Sequence, residues 1–400
     1  MTRLGGDRIR GCPRLGRTSV DLALAWVDAG THRLGTEDVA LCEAPGRVLG
    51  ENIYATRPIP PRDCAALDGF AVRARESLGA SSYNPLSLPL ITVAAGDALP
   101  EGRDTVVPLE HGQSDEPGRV VLVEAAVPGD NVDQYGAVAA AGAILTRAGT
   151  RLAAHHIGLL AAGGFARVSI VRHPRVRIIV AGSVQSSPAG DSNGPMVCAA
   201  VDRDGGIVAE PVAIERDRSA LATMIAAGGA DIVLIIGGTG PGCDDVAAPA
   251  LAAAGELAIH GIALRPGETS GLGRTAAGVP VVLLPGAPAA CLWGYELFAG
   301  RAIRRLGGRD PRLPYRSATM TTARKLVSTI GMTEICPVRC RPEGGVEPLA
   351  SFAETGLMAA AGADGFVIVP EASEGYRQGA AVTVYLWEYG DRRGGTEPER

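Results

Sequence analysis

The sequence predicts a multidomain α/β protein in which a central open parallel sheet is accompanied by small β-rich domains. Three observations lead there. Apolar runs at Val176–Ala181, Asp231–Ile236 and Val279–Leu284 have the length and composition of strands buried on both faces. Each stops at a glycine turn (Gly182, Gly237-Gly238, Pro285-Gly286), and a helical pattern follows in Met196–Val201, Val246–Ala254 and Ala290–Leu306. On either side of this region the chain reads as short strands separated by turn residues. At 400 residues it is too long for one core, so roughly two to four domains are expected.

Taken in order, residues 1–17 carry Arg3, Arg8, Arg10, Arg14 and Arg17 among glycines, lack an apolar stretch, and read as a disordered basic tail. Ser19–Ala29 places Val20, Leu22, Leu24 and Val27 at helical spacing, with Thr18 or Ser19 as the cap. A second helix is expected over Thr36–Gly46. Residues 18–57 and 128–173, the latter with a helix around His155–Gly163, are read as an elongated N-terminal linker domain. Between them, 58–127 reads as an inserted small β domain, punctuated by Asn84-Pro85, Gly96-Asp97 and Glu116-Pro117-Gly118. The α/β domain spans 174–309. Asp310-Pro311 and Pro314 interrupt any helix there. Residues 315–388 follow as a C-terminal β domain, with a short helix opening at Glu354-Thr355-Gly356-Leu357, and 389–400 reads as a second disordered tail.

Composition narrows the function classes. Hydrophobic residues make up 46% but aromatics only 4%, so the cores must be built from Ala, Val, Leu and Ile. A formal charge of −5 and a pI near 5.8 argue against a general nucleic-acid binder, which needs a basic field. No apolar run approaches bilayer length, and a soluble, cytoplasmic protein without membrane contact is expected. The basic residues are arginine except for Lys325. Of the cysteines (Cys12, Cys42, Cys64, Cys198, Cys243, Cys291, Cys336 and Cys340) none forms a C-x-x-C pair and no histidine cluster lies nearby. Reduced, mostly buried thiols are expected, and no zinc. His111, His155, His156, His173 and His260 are read as structural.

Ligands of open parallel sheets bind outside the carboxyl ends of the strands, where the three glycine turns converge. In Gly237-Gly238-Thr239-Gly240-Pro241-Gly242-Cys243-Asp244-Asp245, backbone donors and a carboxylate suit phosphate and a cation. The same string also reads as a plain strand-to-helix turn capped by Asp244 or Asp245. Asp191-Ser192-Asn193 reads as a helix start, by capping or as part of a site. A separate segment, Pro58–Arg75, holds an extended backbone through Pro58, Pro60 and Pro61, then presents Asp68 beside Gly69 at the start of a strand. Such a carboxylate can face a metal ion or a hydroxyl; alternatively it is a polar turn opening a hairpin.

The segment PIPPRDCAALDGFAVRAR over 58–75 resembles a stretch of the molybdopterin molybdenumtransferase family. The likeness continues in order through Gly46-Arg47-Val48-Leu49, Gly96–Gly102 leading to Val106-Val107 and Glu110, Gly142–Leu145, Pro174–Val176, Asp191–Asn193, Gly237-Gly238, Arg265-Pro266-Gly267 and Leu284–Pro288. It covers roughly Ser19 to Glu388 and implies a molybdopterin-binding-like central domain. The implied activity is insertion of molybdate into adenylylated molybdopterin with release of AMP, in a homodimer of molybdenum cofactor biosynthesis. A molybdoenzyme client or a biosynthetic partner is implied as well. The resemblance assigns Asp68 to catalysis, and Asp245 with Asp68 to Mg²⁺. It assigns Asp191, Ser192, Asn193, Gly237, Gly238, Thr239, Gly240, Gly242, Arg265, Pro285, Gly286 and Pro288 to the pterin nucleotide and the oxyanion.

The chain departs from the family pattern at polar positions. K-P-G-K-P appears as Arg265-Pro266-Gly267-Glu268-Thr269, L-P-G-N-P has Ala287 for its amide, and Gly261 replaces a further lysine. T-G-D-E-L reads Ala181-Gly182-Ser183-Val184-Gln185, and G-E-D reads Gly136-Ala137-Val138. A weakened paralogue that binds or carries the cofactor, or a non-binding dimeric scaffold, are the alternatives these losses leave open.

Overall fold

The computed structural model describes residues 16–113, 117–182, 191–209, 211–242, 244–342, 344–349 and 356–387. The expected tails (apart from residues 16 and 17), Ser183-Val184-Gln185, Glu354-Thr355, Cys12 and Cys243 lie outside them. The chain forms two compact units: Thr36–Val171, and the residues before Thr36 together with those from Arg172 onward.

In the larger unit, α1 (Val20–Gly30) starts at Ser19, whose hydroxyl accepts the Leu22 N–H at 3.3 Å. It buries Val20, Ala23 and Val27 in the α/β core. Arg301 grips Asp28 through two bonds of 2.7 and 2.6 Å. The first helix therefore packs with the α/β region, whereas the sequence reading groups it with the linker segment 128–173.

Seven strands make the central sheet. Along the chain the elements are β1 (Arg175–Ala181), α2 (Asn193–Asp204), β2 (Ile207–Val208), β3 (Val212–Ile214), α3 (Arg218–Ala226), β4 (Ile232–Ile236), α4 (Ala247–Ala254), β5 (Gly255–His260), β6 (Gly271–Thr275), β7 (Pro280–Leu284) and α5 (Pro288–Gly294). The spatial order is β2–β1–β4–β7–β6–β5, with β3 also pairing β1. The three predicted strands, β1, β4 and β7, are parallel, and the short β2 and β3, which composition does not reveal, join β1 in the same sense. Beyond β7, however, β6 and β5 run antiparallel, so the sheet is mixed. A short glycine-containing return (Thr275–Val279) joins β6 to β7 and leaves no room for a crossover helix, which forces that pairing.

Alternation explains why the strands are apolar throughout. Ile178, Leu234, Ile236, Val282 and Leu284 face one core with α1, α2 and α5. Ile179, Val233, Ile235, Val281 and Leu283 face the other with α3 and α4. At the foot of β4, Asp231 receives both terminal nitrogens of Arg172 at 2.7 and 2.6 Å and the Arg175 N–H at 2.8 Å. Burial works to raise the Asp231 pKa, yet these donors outweigh it and hold the carboxyl below the usual range. A lowered native pKa stabilises the fold above the unfolded value of about 3.9, and that stability is lost as pH falls through the native value. Asp231→Asn is therefore expected to lose about 1–3 kcal/mol at neutral pH. The gap to the parent should close below about pH 4, as read by denaturant unfolding at stepped pH.

After α5 the helix runs through a π-helical turn, Tyr295–Ala299, into Gly300–Leu306. This segment supplies a buried ionic cluster. The Arg203 guanidinium bonds Glu296 at 2.7 and 3.0 Å and Asp204 at 2.8 Å. Arg304 pairs with Asp204 at 2.9 Å, and the Tyr295 hydroxyl donates to Asp204 at 3.1 Å. The C-terminal sheet contains Arg316–Thr321, Thr333–Cys340, Val346–Pro348, Gly365–Val369 and Ala381–Leu386. It also takes in Leu264–Arg265, which runs parallel to Thr333-Glu334. The boundary at Asp310 therefore separates sequence segments that share one sheet.

In the smaller unit, Thr36–Ala40 is a strand, paired antiparallel with Arg167–Val171, and a 3₁₀ turn follows at Leu41–Glu43. This overturns the helix expected over Thr36–Gly46. Glu37 and Asp38 find arginine partners in the same unit, Arg47 at 2.6 Å and Arg167 at 2.5 Å, and the ladder satisfies the backbone that a helix would otherwise have to satisfy. A helix at Ala154–Ala162 completes this part, with the Ala153 N–H donating to His156 Nδ1 at 3.0 Å. The inserted region holds two three-stranded sheets, one around Gly69–Val72 and one around Arg119–Leu122. Of the described cysteines, Cys291 and Cys336 are buried, Cys64, Cys198 and Cys340 are half-buried and Cys42 is exposed. The expectation of mostly buried thiols fails because Cys64 and Cys340 sit at strand ends and Cys42 in a surface 3₁₀ turn.

Candidate functional site

At the carboxyl ends of β1, β4 and β7 the turns converge on a cleft of about 630 Å³. The expected residues Asp191, Ser192, Asn193, Gly237, Gly238, Thr239, Gly240, Asp245, Pro285, Gly286 and Pro288 all line it. Gly237 has a φ of 85°, and a side chain there would press on the Ala181 carbonyl at 3.0 Å. The β4 turn can therefore double back against β1 only with glycine in place. Asn193 ties two walls together, since its Nδ2 donates to the Gly286 carbonyl at 2.9 Å.

Each carboxylate at the cleft is partly occupied by its own loop. Asp191 Oδ1 accepts the Asn193 and Gly194 N–H groups at 2.9 and 3.0 Å, capping α2. Asp245 Oδ2 accepts the Gly242 N–H at 2.9 Å. Asp245 therefore folds back on its glycine turn and does not cap α4, whose first turn has no side-chain cap. Among the described residues, the second carboxylate oxygen of each has no such partner within its loop. On the far wall the Thr239 and Thr269 hydroxyls lie 2.9 Å apart, and His260 Nε2 donates to the Thr239 carbonyl at 2.9 Å. His260 is thus a wall brace, as its structural reading expected.

Three expected site residues stand elsewhere. Gly242 does not line the cleft, and its N–H donates to Asp245. Arg265 does not line it either: Glu268 stands at the lining and accepts from Arg265 Nε at 3.1 Å, and the buried Glu334 lies 3.4 Å from Arg265 Nη1. Asp68 belongs to the other compact unit, where it is exposed and one oxygen accepts the Ala95 N–H at 2.7 Å. Val138 and Glu110, also in that unit, are exposed.

The fold accounts for one lost lysine. A side chain on Gly261 would meet the Gly16 carbonyl at 2.4 Å, because the segment Gly16–Thr18 pairs along His260 and Gly261. Sequence reasoning missed Arg216, the one cationic side chain among the described residues lining the cleft. The available signal was its place two residues after β3, at the carboxyl end of a parallel strand too short to recognise by composition.

A glycine-turned cleft over parallel strand ends, with carboxylates at its turns, is the place where doubly wound α/β domains take their ligands, here in a chain that also carries β modules. Residues 18–164 match the MoeA N-terminal region (domains I and II), 177–305 a probable molybdopterin binding domain, and 319–387 the MoeA C-terminal region (domain IV). The chain is 32% identical over 324 residues to molybdopterin molybdenumtransferase 2 of Mycobacterium tuberculosis, covering 71% of this chain and 79% of that protein. It is 28% identical over 388 residues to the molybdopterin molybdenumtransferase of Bacillus subtilis, covering 88% and 90%. The crystal structure of the molybdopterin biosynthesis MoeA protein of Pyrococcus horikoshii superposes with a TM-score of 0.73 at 28% identity, covering 93% of this chain and 99% of that one. The chain belongs to the MoeA family of molybdenum cofactor biosynthesis. Among the described residues no helix is long and apolar enough to cross a membrane.

Proposed function

We propose that this protein inserts molybdate into adenylylated molybdopterin and releases AMP. The observation that carries the reading is the cleft itself, in which eleven of the expected residues, from Asp191 to Pro288, converge on one side of the sheet. Backbone donors of the Gly238–Gly242 turn would receive nucleotide phosphate, with the Gly242 N–H already held by Asp245, and Pro285-Gly286 with Pro288 would shape the opposite edge. Thr239 and Asn193 would orient the pterin nucleotide. Ser192 and Asp191 stand at the start of α2, where a partial positive charge favours an anion.

The residues present fit Mg²⁺ carried in with the phosphates. Asp245 keeps one oxygen clear of its loop contact, and Mg²⁺ is commonly held by one or two carboxylates plus substrate phosphates. No group of three or more candidate ligands occurs among the described residues, in keeping with an ion shared with substrate. When bound, such an ion neutralises phosphate charge and polarises the phosphoryl oxygens. Asp68 is proposed as the catalytic carboxylate and, with Asp245, as a Mg²⁺ ligand. Its oxygen not engaged by Ala95 would accept a proton from, or orient, the reacting cofactor. Arg265 would join the anion site from behind Glu268. A cytoplasmic homodimer handing its product to a molybdoenzyme client or a biosynthetic partner completes the proposal. The near full-length match and the filled-out cleft favour an enzyme over a carrier or a scaffold.

The test is AMP release by the purified protein supplied with adenylylated molybdopterin, Mg²⁺ and molybdate. Molybdate-dependent AMP release that collapses in Asp68→Asn supports the proposal. Asparagine can still accept the Ala95 N–H, so the loop is preserved in that variant. Absence of both AMP release and nucleotide binding would sink it.

A further inference from the structure

We propose that Glu268 is a built-in competitor for the oxyanion, holding the donors that an incoming anion must take. This inference rests on the reading of the cleft as an oxyanion and nucleotide site. The Glu268 carboxylate reaches two donors at once: Arg265 Nε at 3.1 Å through Oε1 and the Gly267 N–H at 3.1 Å through Oε2. A guanidinium edge next to a backbone N–H is the donor pair that a tetrahedral oxyanion takes. Glu268 lines the cleft and Arg265 does not, so the internal carboxylate lies between the cation and the cavity.

Arg265 itself is held for the purpose. Its strand runs parallel to Thr333-Glu334, and Nη1 lies 3.3 Å from Thr329 Oγ1 and 3.4 Å from the Glu334 carboxylate. Glu334 is 1% exposed and its second oxygen has no partner among the described residues. Arg265 therefore keeps a buried counter-charge when Glu268 swings away, and its guanidinium stays where it is. Glu268, by contrast, has a side chain 45% exposed with no side-chain hydrogen-bond partner besides these two among the described residues, so little holds it in place. Among the described residues, the other charged groups facing the cleft are Arg216, Asp191 and Asp245. With Glu268 counted they are one cation and three carboxylates, so an arriving dianion meets net repulsion until Glu268 is displaced.

The consequence is a cleft whose oxyanion affinity is weakened by this residue. The anion displacing Glu268 is either free molybdate or the phosphate of the nucleotide, which present the same chemistry. Calorimetric titration of molybdate alone and of AMP alone into the parent protein, Glu268→Gln and Glu268→Asp separates the two sources. Glu268→Gln is expected to bind one of them about five- to tenfold more tightly, the size of one removed charge contact at a half-exposed site. The anion that gains identifies the source. Glu268→Asp keeps the charge and is expected to stay near the parent value, and the gain in Glu268→Gln should shrink in high salt. No gain for either anion overturns the proposal, as does an equal gain in Glu268→Asp, which would make side-chain length the cause. The AMP-release assay on the parent protein is read separately. Turnover without any Glu268 effect removes this inference and leaves the enzyme standing. A Glu268→Gln gain in a protein without turnover leaves the competitor standing and removes the enzyme.

Discussion

Asp245→Asn is expected to lower AMP release by on the order of 10²–10³-fold, the range seen when one preorganised electrostatic partner of a reacting centre is lost. The loop should survive, because the asparagine carbonyl can accept the Gly242 N–H that Asp245 Oδ2 now accepts at 2.9 Å. What disappears is the negative charge of the second oxygen, the one clear of that contact. If that charge holds Mg²⁺ on the phosphates, the loss should fall chiefly on the Mg²⁺ concentration needed for half-maximal rate, and raising Mg²⁺ should recover part of it. Steady-state rates over a Mg²⁺ series, compared with nucleotide binding in the absence of Mg²⁺, make the check. A variant with parental rates at every Mg²⁺ concentration would remove Asp245 from the metal-binding role.

The largest expected effect on stability lies away from the cleft. Asp204 has a fully buried side chain and receives Arg203, Arg304 and the Tyr295 hydroxyl. Burial works against the charge on Arg203, but Glu296 and Asp204 overcome it and hold the guanidinium protonated throughout the accessible pH range. Asp204→Ala would strip Arg304, whose side chain is 4% exposed, of its buried counter-charge. Breaking one partner of such a cluster is expected to cost about 3–5 kcal/mol, because the remaining charge stays desolvated and unpaired. Tryptophan emission reads this cleanly: Trp26, Trp293 and Trp387 are the chain's three tryptophans, and all belong to the larger unit. A denaturation midpoint in the variant within about 0.5 kcal/mol of the parent, the range of ordinary surface substitutions, would show that the cluster relaxes around the loss.

Both results concern features that differ in how far the sequence alone exposes them. The strand-end turns were legible because glycine and proline punctuate continuous apolar runs, a pattern that few arrangements other than a buried parallel sheet satisfy. From that pattern alone, Asn193, the Gly237–Gly240 turn and Pro285-Gly286 fall together at one end of the sheet. The charged residues of the Thr36–Gly46 segment suit a helix locally, and only the distant strand Arg167–Val171, with Arg167 on Asp38, selects the strand. The buried cluster around Asp204 could not be read at all, since Arg203-Asp204 and Glu296 lie far apart in the chain and look like ordinary surface charges.

By itself the sequence determined the fold class, the cleft's place at the carboxyl ends of β1, β4 and β7, and most of the side chains and turns that line it. Those follow from local rules: side-chain alternation, glycine conformation and helix capping act over a few residues. Tertiary structure alone decided which charges reach the cavity. Arg216 enters it from a strand too short to recognise, Arg265 is drawn back by Glu268 and by Glu334 from the neighbouring strand, and Gly261 has no space for a side chain beside Gly16. Electrostatic partners are set by distance in space, which the order of residues does not state until the chain is folded.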